Sequence, residues 1–326
     1  MRHSLLAVLA LAALGAAAAP ASAQRLPFDR VIDVMPGATL DVATFRGKVY
    51  VDGHDARQIR IEGTVTVRAA AGLRTVATPL EIARRVADRP RIEVAGNVVR
   101  LRPPIDVEEL RAVTVSYEIW VPRDTTVFVN TDSGAVEVTG VAGPVTVDTE
   151  SSAITLNRLD GKTEVKTESG DVKVDRAAGG LRVVTDSSAM TLRGLAGALE
   201  ARTQSGAVRA SFAGAGSADV ETGSSAIQLD GLSGRLAVRS QSGRVEVRGT
   251  PAADWDVTTG SSLIEAAFPS TANFMLEATS SSSSVQLKGV TVDGVSEKGR
   301  ASGTVGGGGG PVVRLASRSG QIHIGR

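Results

Sequence analysis

Three histidines, no cysteine and a long series of serines bound the chemistry open to this chain of 326 residues. His3 lies in the apolar leader, His54 in a turn and His323 on the last strand-like segment, so no two stand at the spacing of a zinc-ligand pair. The serines have no histidine to act as base, which leaves a Ser-His-acid triad without support. Serine in this setting forms turns, its hydroxyl satisfying nearby backbone. The glycine run Gly306–Gly310 does not sit between a strand and a helix and lacks the Lys-Ser/Thr of a phosphate-binding loop.

Carboxylates offer two further chemistries. Asp132, Glu150, Glu168 and Asp186 recur at one turn position, and the column continues uncharged as Gln204, Gly223, Gln241 and Gly260. Stacked carboxylates repel unless cations or basic neighbours intervene. Calcium prefers such oxygen ligands, but the glycine-aspartate nonapeptide of calcium β-rolls is missing, so the column reads as a solvated acidic edge. Paired acids that work on sugars, as in polysaccharide-cleaving β-helices, are the other option. Surface Asp and Glu are plentiful and nothing singles out one pair. No catalytic, cofactor-binding or metal-binding residue is therefore assigned, and no cofactor is expected.

What positions these side chains is a repeat. From Val127 to Arg248 the chain reads VFVNTDSGAVEVTGVAGP, VTVDTESSAITLNRLDGK, TEVKTESGDVKVDRAAGG, LRVVTDSSAMTLRGLAGA and onward. A Ser-Gly or Ser-Ser marker falls at Ser133, Ser151, Ser169, Ser187, Ser205, Ser224, Ser242 and Ser261, with looser copies at Ser283 and Ser319. A fixed period of this kind marks a stacked array. Each copy holds two alternating runs, such as Val145/Val147 and Ile154/Leu156, then a further apolar residue (Leu159) and a glycine (Gly161). Alternation marks strands with one buried face. One copy buries too few side chains to offset the entropy of ordering itself, whereas stacked copies cover one another. The expected fold is all-β, a β-solenoid of 18-residue two-strand repeats; an antiparallel sandwich is the alternative, but sandwiches rarely keep an exact repeat. Val147 and Ile154 should face inward and Thr155 outward.

A weaker alternation runs through the repeat. The residue after the marker reads Gly134, Ser152, Gly170, Ser188, Gly206, Ser225, Gly243, Ser262. An outward position carries Glu137, Lys173, Arg209 and Glu246 in odd copies but Thr155, Thr191 and Gln228 in even ones. Like or complementary residues tend to stack in ladders. The alternation therefore suggests two copies per coil, with Glu137 beside Lys173 and Thr155 beside Thr191.

Residues 1–23 read as a secretory signal peptide, with Arg2, an apolar run from Leu5 to Ala19 and the small-residue site Ala21-Ser22-Ala23. No later stretch is long and apolar enough to span a membrane. The formal net charge is +1, and neutral after the leader with 35 acids against 35 bases, which gives no electrostatic case for nucleic acid. Aromatics make up only 3% of residues, in keeping with a thin stacked core. Residues 24–121 are expected as irregular β coils. Within them Thr78-Pro79-Leu80-Glu81 opens a short helix over residues 79–88 that ends before Pro90. Strands are expected at 91–101 and 112–121. The regular solenoid should cover 122–292, where Trp255 and Phe274 widen the core; 293–311 reads as a flexible Gly-rich loop, and 312–326 as the final strands.

The segment YEIWVPRDTTVFVNTDSGAVEV, the Ser-Gly rungs, the glycine run and the closing RSGQIHI resemble the bacterial "putative adhesin" family of β-strand-repeat domains of unknown function, over about Leu40 to Ile324. The resemblance implies an exported β-solenoid with a surface or adhesive role and transfers no catalytic residue. Several rungs here carry Ser-Ser where the family more usually has Ser-Gly. Two functions follow as expectations. The first is an exported non-enzymatic scaffold or adhesin-like binding module of the cell envelope, periplasmic, surface-bound or secreted, whose partner is envelope polysaccharide, a surface protein or another copy. The second is a carbohydrate-active β-helix acting on an extracellular polysaccharide.

Overall fold

The computed structural model describes residues 24–68 and 77–326; the expected leader, 1–23, lies outside them. The chain builds two long sheets that face each other across one hydrophobic core. It opens with β1 (Arg25–Asp33), β2 (Thr39–Arg46), β3 (Val49–His54), β4 (Gln58–Val67), α1 (Pro79–Asp88), β5 (Ile92–Ala95), β6 (Val98–Leu101), α2 (Val107–Ala112) and β7 (Val113–Pro122). Paired strands follow: β8 (Thr126–Ser133) with β9 (Val136–Thr139), β10 (Val145–Ser151) with β11 (Ile154–Leu159), β12 (Thr163–Ser169) with β13 (Val172–Ala177), and β14 (Leu181–Thr185) with β15 (Met190–Leu195). Next come β16 (Leu199–Thr203) with β17 (Val208–Phe212), β18 (Ala218–Thr222) with β19 (Ile227–Leu232), β20 (Leu236–Ser240) with β21 (Val245–Gly249), and β22 (Trp255–Thr259) with β23 (Ile264–Ala267). The last six are β24 (Phe274–Ser280), β25 (Val285–Lys288), β26 (Val292–Glu297), β27 (Arg300–Val305), β28 (Val312–Ser317) and β29 (Ile322–Gly325).

In each pair the first strand joins a 15-stranded front sheet and the second a 14-stranded back sheet, and both stack in parallel on the neighbouring copies. The registers follow the repeat. Val145 lies between Val127 and Thr163, and Ile154 between Val136 and Val172. Inward columns are sealed: Val147, Ile154 and Leu156 are fully buried, while Thr155 faces solvent. This is the expected β-solenoid.

One copy makes one complete rung. Thr155 pairs with Glu137 on one side and Lys173 on the other, which overturns two copies per coil. The alternation has a different cause. A Cβ built on Gly170 would sit 2.1 Å from the carbonyl oxygen of Ser152, one on Gly206 1.7 Å from that of Ser188, and one on Gly243 1.8 Å from that of Ser225. Glycine rungs close tightly onto serine rungs, so the turns pair in twos although the coils do not.

In several turns the closing hydroxyl belongs to a Thr or Ser two residues before the marker, as at Thr185, Thr203, Thr222 and Ser240. Thr203 Oγ1 accepts from the N–H of Gly206 at 2.9 Å, and Ser240 Oγ from that of Gly243 at 2.8 Å. Thr149 and Thr167 bond to each other along the same column at 3.0 Å.

The short helix is α1, over the expected residues. Thr78 accepts from the N–H of Glu81 at 3.3 Å while Glu81 accepts from the N–H of Thr78 at 2.8 Å, a complete capping box. Its face Ile82, Ala83, Val86 and Ala87 packs against β1, β4 and β7, the three outermost strands at one end of the back sheet. There β4 runs antiparallel to both β1 and β7, ending the parallel stack. The expected strand over 91–101 is a hairpin, β5–β6, and the six-residue helix α2 precedes β7, its N-cap Asp106 accepting from the N–H of Glu108.

At the other end, residues 293–305, read above as the start of a flexible loop, belong with Val292 to the antiparallel hairpin β26–β27, which pairs with β24. Strand β26 is the front sheet's edge and is mostly exposed, so no apolar alternation announced it. The chain's final strands are not final in the stack. β28 lies between β22 and β24, and β29 between β23 and β25, parallel to both neighbours in each sheet. The connection 268–273 crosses over this rung. Phe268 packs on Trp255 and Phe274, with ring centroids 5.5 and 4.5 Å apart, and these aromatics fill the widened core there.

Candidate functional site

With two long parallel sheets closed on one core, the outer faces and turn edges carry the exposed chemistry. On the front sheet, outward charges form an interlocked ladder. Lys166 stands 3.6 Å from Glu164 and Arg182 3.7 Å from the same carboxylate. Arg182 also bonds Glu200, which meets Arg202 at 2.8 Å, and Arg202 reaches Glu221 at 3.8 Å. The Arg182 guanidinium holds the Glu200 carboxyl below its ordinary range. These pairs are exposed, so each is worth little, but together they neutralise the face.

The acidic column lies at the turn edge of this sheet. Asp132, Glu150, Glu168 and Asp186 stack one per rung beside a shallow groove of about 380 Å³, with Asp148 and Lys166 in its lining. Beyond Asp186 the groove continues into a depression of about 750 Å³ lined by Arg202, Gln204, Glu221, Arg239 and Gln241. Among the described residues no group of three or more His, Asp or Glu side chains is arranged to hold a metal ion. The column is a line of single carboxylates along an open edge.

The histidines are far apart. His54, on β3, accepts from the N–H of Ala56 at 2.9 Å through Nδ1. His323, on β29, stands 3.6 Å from Glu265 and 3.2 Å from Gln321 Oε1. β3 and β29 are nine strand steps apart in the back sheet, about 43 Å at ~4.8 Å per step, so they cannot share a ligand. His3 lies outside the described residues. Glu265 is held low first by Arg244, whose guanidinium meets it at 2.6 Å.

Carboxylates with a perturbed acidity share one direction. Asp41, held first by Arg102, Glu81, held by the N–H of Thr78, and Asp124, held by the N–H of Gly37, are all lowered, as are Glu200 and Glu265. A glycosidase needs one carboxylic acid raised so that it stays protonated as the general acid. None of these five is poised for that step.

One feature escaped the sequence reading. On the outward face of the back sheet, near its N-terminal end, Tyr50 and Trp120 stand on the neighbouring strands β3 and β7. Tyr50 pairs in register with Glu118 on one side and Glu137 on the other, and Trp120 with Asp52. Burial and the flanking carboxylates Asp52, Glu137 and Glu118 raise the Tyr50 phenol above its ordinary value. Arg60 lies over the Trp120 ring, 5.5 Å from its centroid. The signal was present, since both aromatics alternate with buried Val49, Val51, Ile119 and Val121, but two aromatics seventy positions apart come onto neighbouring strands only once strand order is known.

Solved structures with similar chain traces include a putative adhesin from Parabacteroides merdae, 12% identical, covering 92% of this chain and 96% of that one with a TM-score of 0.34. A putative adhesin from Parabacteroides distasonis is 10% identical over 91% of this chain and 96% of its own, with a TM-score of 0.32. A putative lipid binding protein from the same species is 11% identical over 92% and 96%, with a TM-score of 0.30. No curated protein sequence matches the chain. The profile of one family, described as Toastrack DUF4097, matches residues 114–325, from β7 through the inserted last rung. That match takes in most of the chain and all of its regular rungs: the protein belongs to the Toastrack DUF4097 family.

Proposed function

We propose that this chain is an exported, non-enzymatic binding scaffold of the bacterial cell envelope, and that its flat sheet faces bind a surface polymer. The observation that carries this reading is the outward patch of Tyr50 and Trp120 among Glu118, Glu137 and Asp52. Flat aromatic rings beside hydrogen-bond acceptors suit the apolar faces and hydroxyls of a saccharide chain. The patch lies on a regular sheet rather than in a cleft, so it can grip a polymer without enclosing a reacting bond. Export rests on the leader-like residues 1–23.

The test is direct. Purified protein is titrated with cell-envelope polysaccharide fractions, and the Tyr50→Ala/Trp120→Ala double variant is compared with the parent at equal folded fraction. Binding that drops at least tenfold in the variant, with no reducing ends released from the polymer, supports the reading. Binding unaffected by the two substitutions removes the patch from it, and release of reducing ends restores the enzyme.

A further inference from the structure

The last rung of the chain fills a gap that earlier residues have already built. Strands β22 and β23 form one wall, β24 and β25 the other, and β26–β27 closes the far side, all before residue 306. β28 and β29 enter between the walls and pair with both in each sheet. Val313, Leu315, Ile322 and Ile324 are buried there at 0–1% exposure.

The gap is specific for this rung. A Cβ on Gly320 would sit 1.9 Å from the carbonyl oxygen of Ser262, so the occupant must carry glycine at that place. Ser280 on the other wall donates its hydroxyl to the Gly320 carbonyl at 2.8 Å, and Arg314 reaches Glu277 at 3.0 Å. The Ser/Gly alternation of the turns agrees. By strand register the position of Ser262 is taken next by Gly320 and then by Ser283, so the alternation, broken in chain order from Ser262 to Ser283, continues in space.

The rung is joined to its own walls only through residues 306–311, five glycines and a proline. Six residues span at most about 20 Å. Gly308 and Gly309 have nothing within 4 Å of a built Cβ, so the tether adds no packing there. The contacts that seat the rung are with the walls and are the same whichever copy supplies it. The formal net charge of +1 opposes association of two copies very little.

We propose that this gap is a strand-acceptor site, and that two copies of the chain join by exchanging residues 311–326 through it. The tethered rung enjoys a high effective concentration, of order mM for a short flexible linker, so the closed monomer dominates once folded. Exchange takes place when gaps are vacant together, during folding at high chain concentration or on warming toward the melting midpoint.

The test uses the full chain with a protease recognition sequence in place of Gly307–Gly309. After folding and cleavage it is incubated with a fluorescent synthetic peptide of residues 311–326 at temperatures up to the melting midpoint. The expected result is labelled peptide co-eluting with the protein, with at least tenfold less uptake of the peptide carrying Gly320→Val. In uncut protein, two differently tagged populations refolded together at high concentration should yield doubly tagged dimers. A Thr258→Cys/Ala316→Cys variant, whose paired positions sit at the ~4.8 Å parallel spacing within disulfide range, is oxidised as a monomer first and should yield none. Absence of labelled-peptide uptake, equal uptake of the Gly320→Val peptide, or absence of doubly tagged dimers overturns the proposal.

Discussion

The carbonyl oxygen of Ser188 stands 1.7 Å from the place where a Cβ on Gly206 would be. The glycine has an ordinary backbone conformation, so the constraint is contact with the rung beneath rather than torsional strain. Gly206→Ala should therefore cost about 1–3 kcal/mol through overpacking. Gly214 is the control, since its built Cβ meets only Ala196 at 3.9 Å. Gly214→Ala should leave the denaturant midpoint within error of the parent, and equal shifts for the two variants would refute the contact argument.

Strand facing is tested one residue apart. Ile154 is fully buried between Val136 and Val172, and its neighbour Thr155 is exposed. Ile154→Asp places an unpaired charge in a dry core and should cost more than about 4 kcal/mol or prevent folding. Thr155→Asp should stay within about 0.5 kcal/mol, in the ordinary range for surface positions. Thermal melts of the two variants check the ordering.

The turn-closing hydroxyls make a third expectation. Thr203→Val keeps the shape of the side chain but leaves the buried N–H of Gly206 without its 2.9 Å acceptor. The cost should be about 1–3 kcal/mol, the penalty of an unmade buried hydrogen bond. Thr258→Val, on an outward position of β22, should cost far less; hydrogen exchange at Gly206 would show the local loss directly.

Alkaline pH provides the fourth. Burial pushes the Tyr117 phenol from about 10 up to about 12. Between those values the unfolded chain ionises while the folded chain does not, so the unfolded state binds fewer protons and stability falls as pH rises. The loss begins near pH 10, is complete near pH 12, and amounts to about 3 kcal/mol at 1.36 kcal/mol per pKa unit. Tyr117→Phe should remove this component of the slope, which urea unfolding at pH 9 and pH 11.5 would measure. An unchanged slope would place the phenol in contact with water.

Much of this architecture was legible in the sequence because it is periodic. The inward columns, the strand pairs and the capped helix at residues 79–88 each repeat a spacing that physics ties to one structure. What was missed lacked such a spacing. Strand β26 runs along an exposed edge, so its residues had no buried face to record, and α2 is barely more than one turn. Glu137 pairs with Thr155 instead of Lys173 because every copy is a full rung, and the two alternations that suggest a doubled coil, Ser with Gly at the turn and charged with uncharged on the outer face, do not change that geometry. The Ser/Gly alternation held the place of the last rung, in the step from Ser262 to Ser283 without an intervening glycine. Tyr50 and Trp120 share one outer face because β7 returns beside β3, a long-range choice that no local pattern encodes.

The interior seat of β28 and β29 also decides how the molecule answers a pull. At the N-terminal end β1 is an edge strand, bonded on one side only and antiparallel to its neighbour β4. Tension on a C-terminal anchor instead loads a strand pair flanked on both sides in both sheets, along the direction of the strands. Its ladders must then slip together, whereas a strand peeled from an edge gives way one bond at a time. A chain held from its C-terminus while its faces grip a partner would carry the load through a mortised joint in the body of the stack instead of a tail at its end.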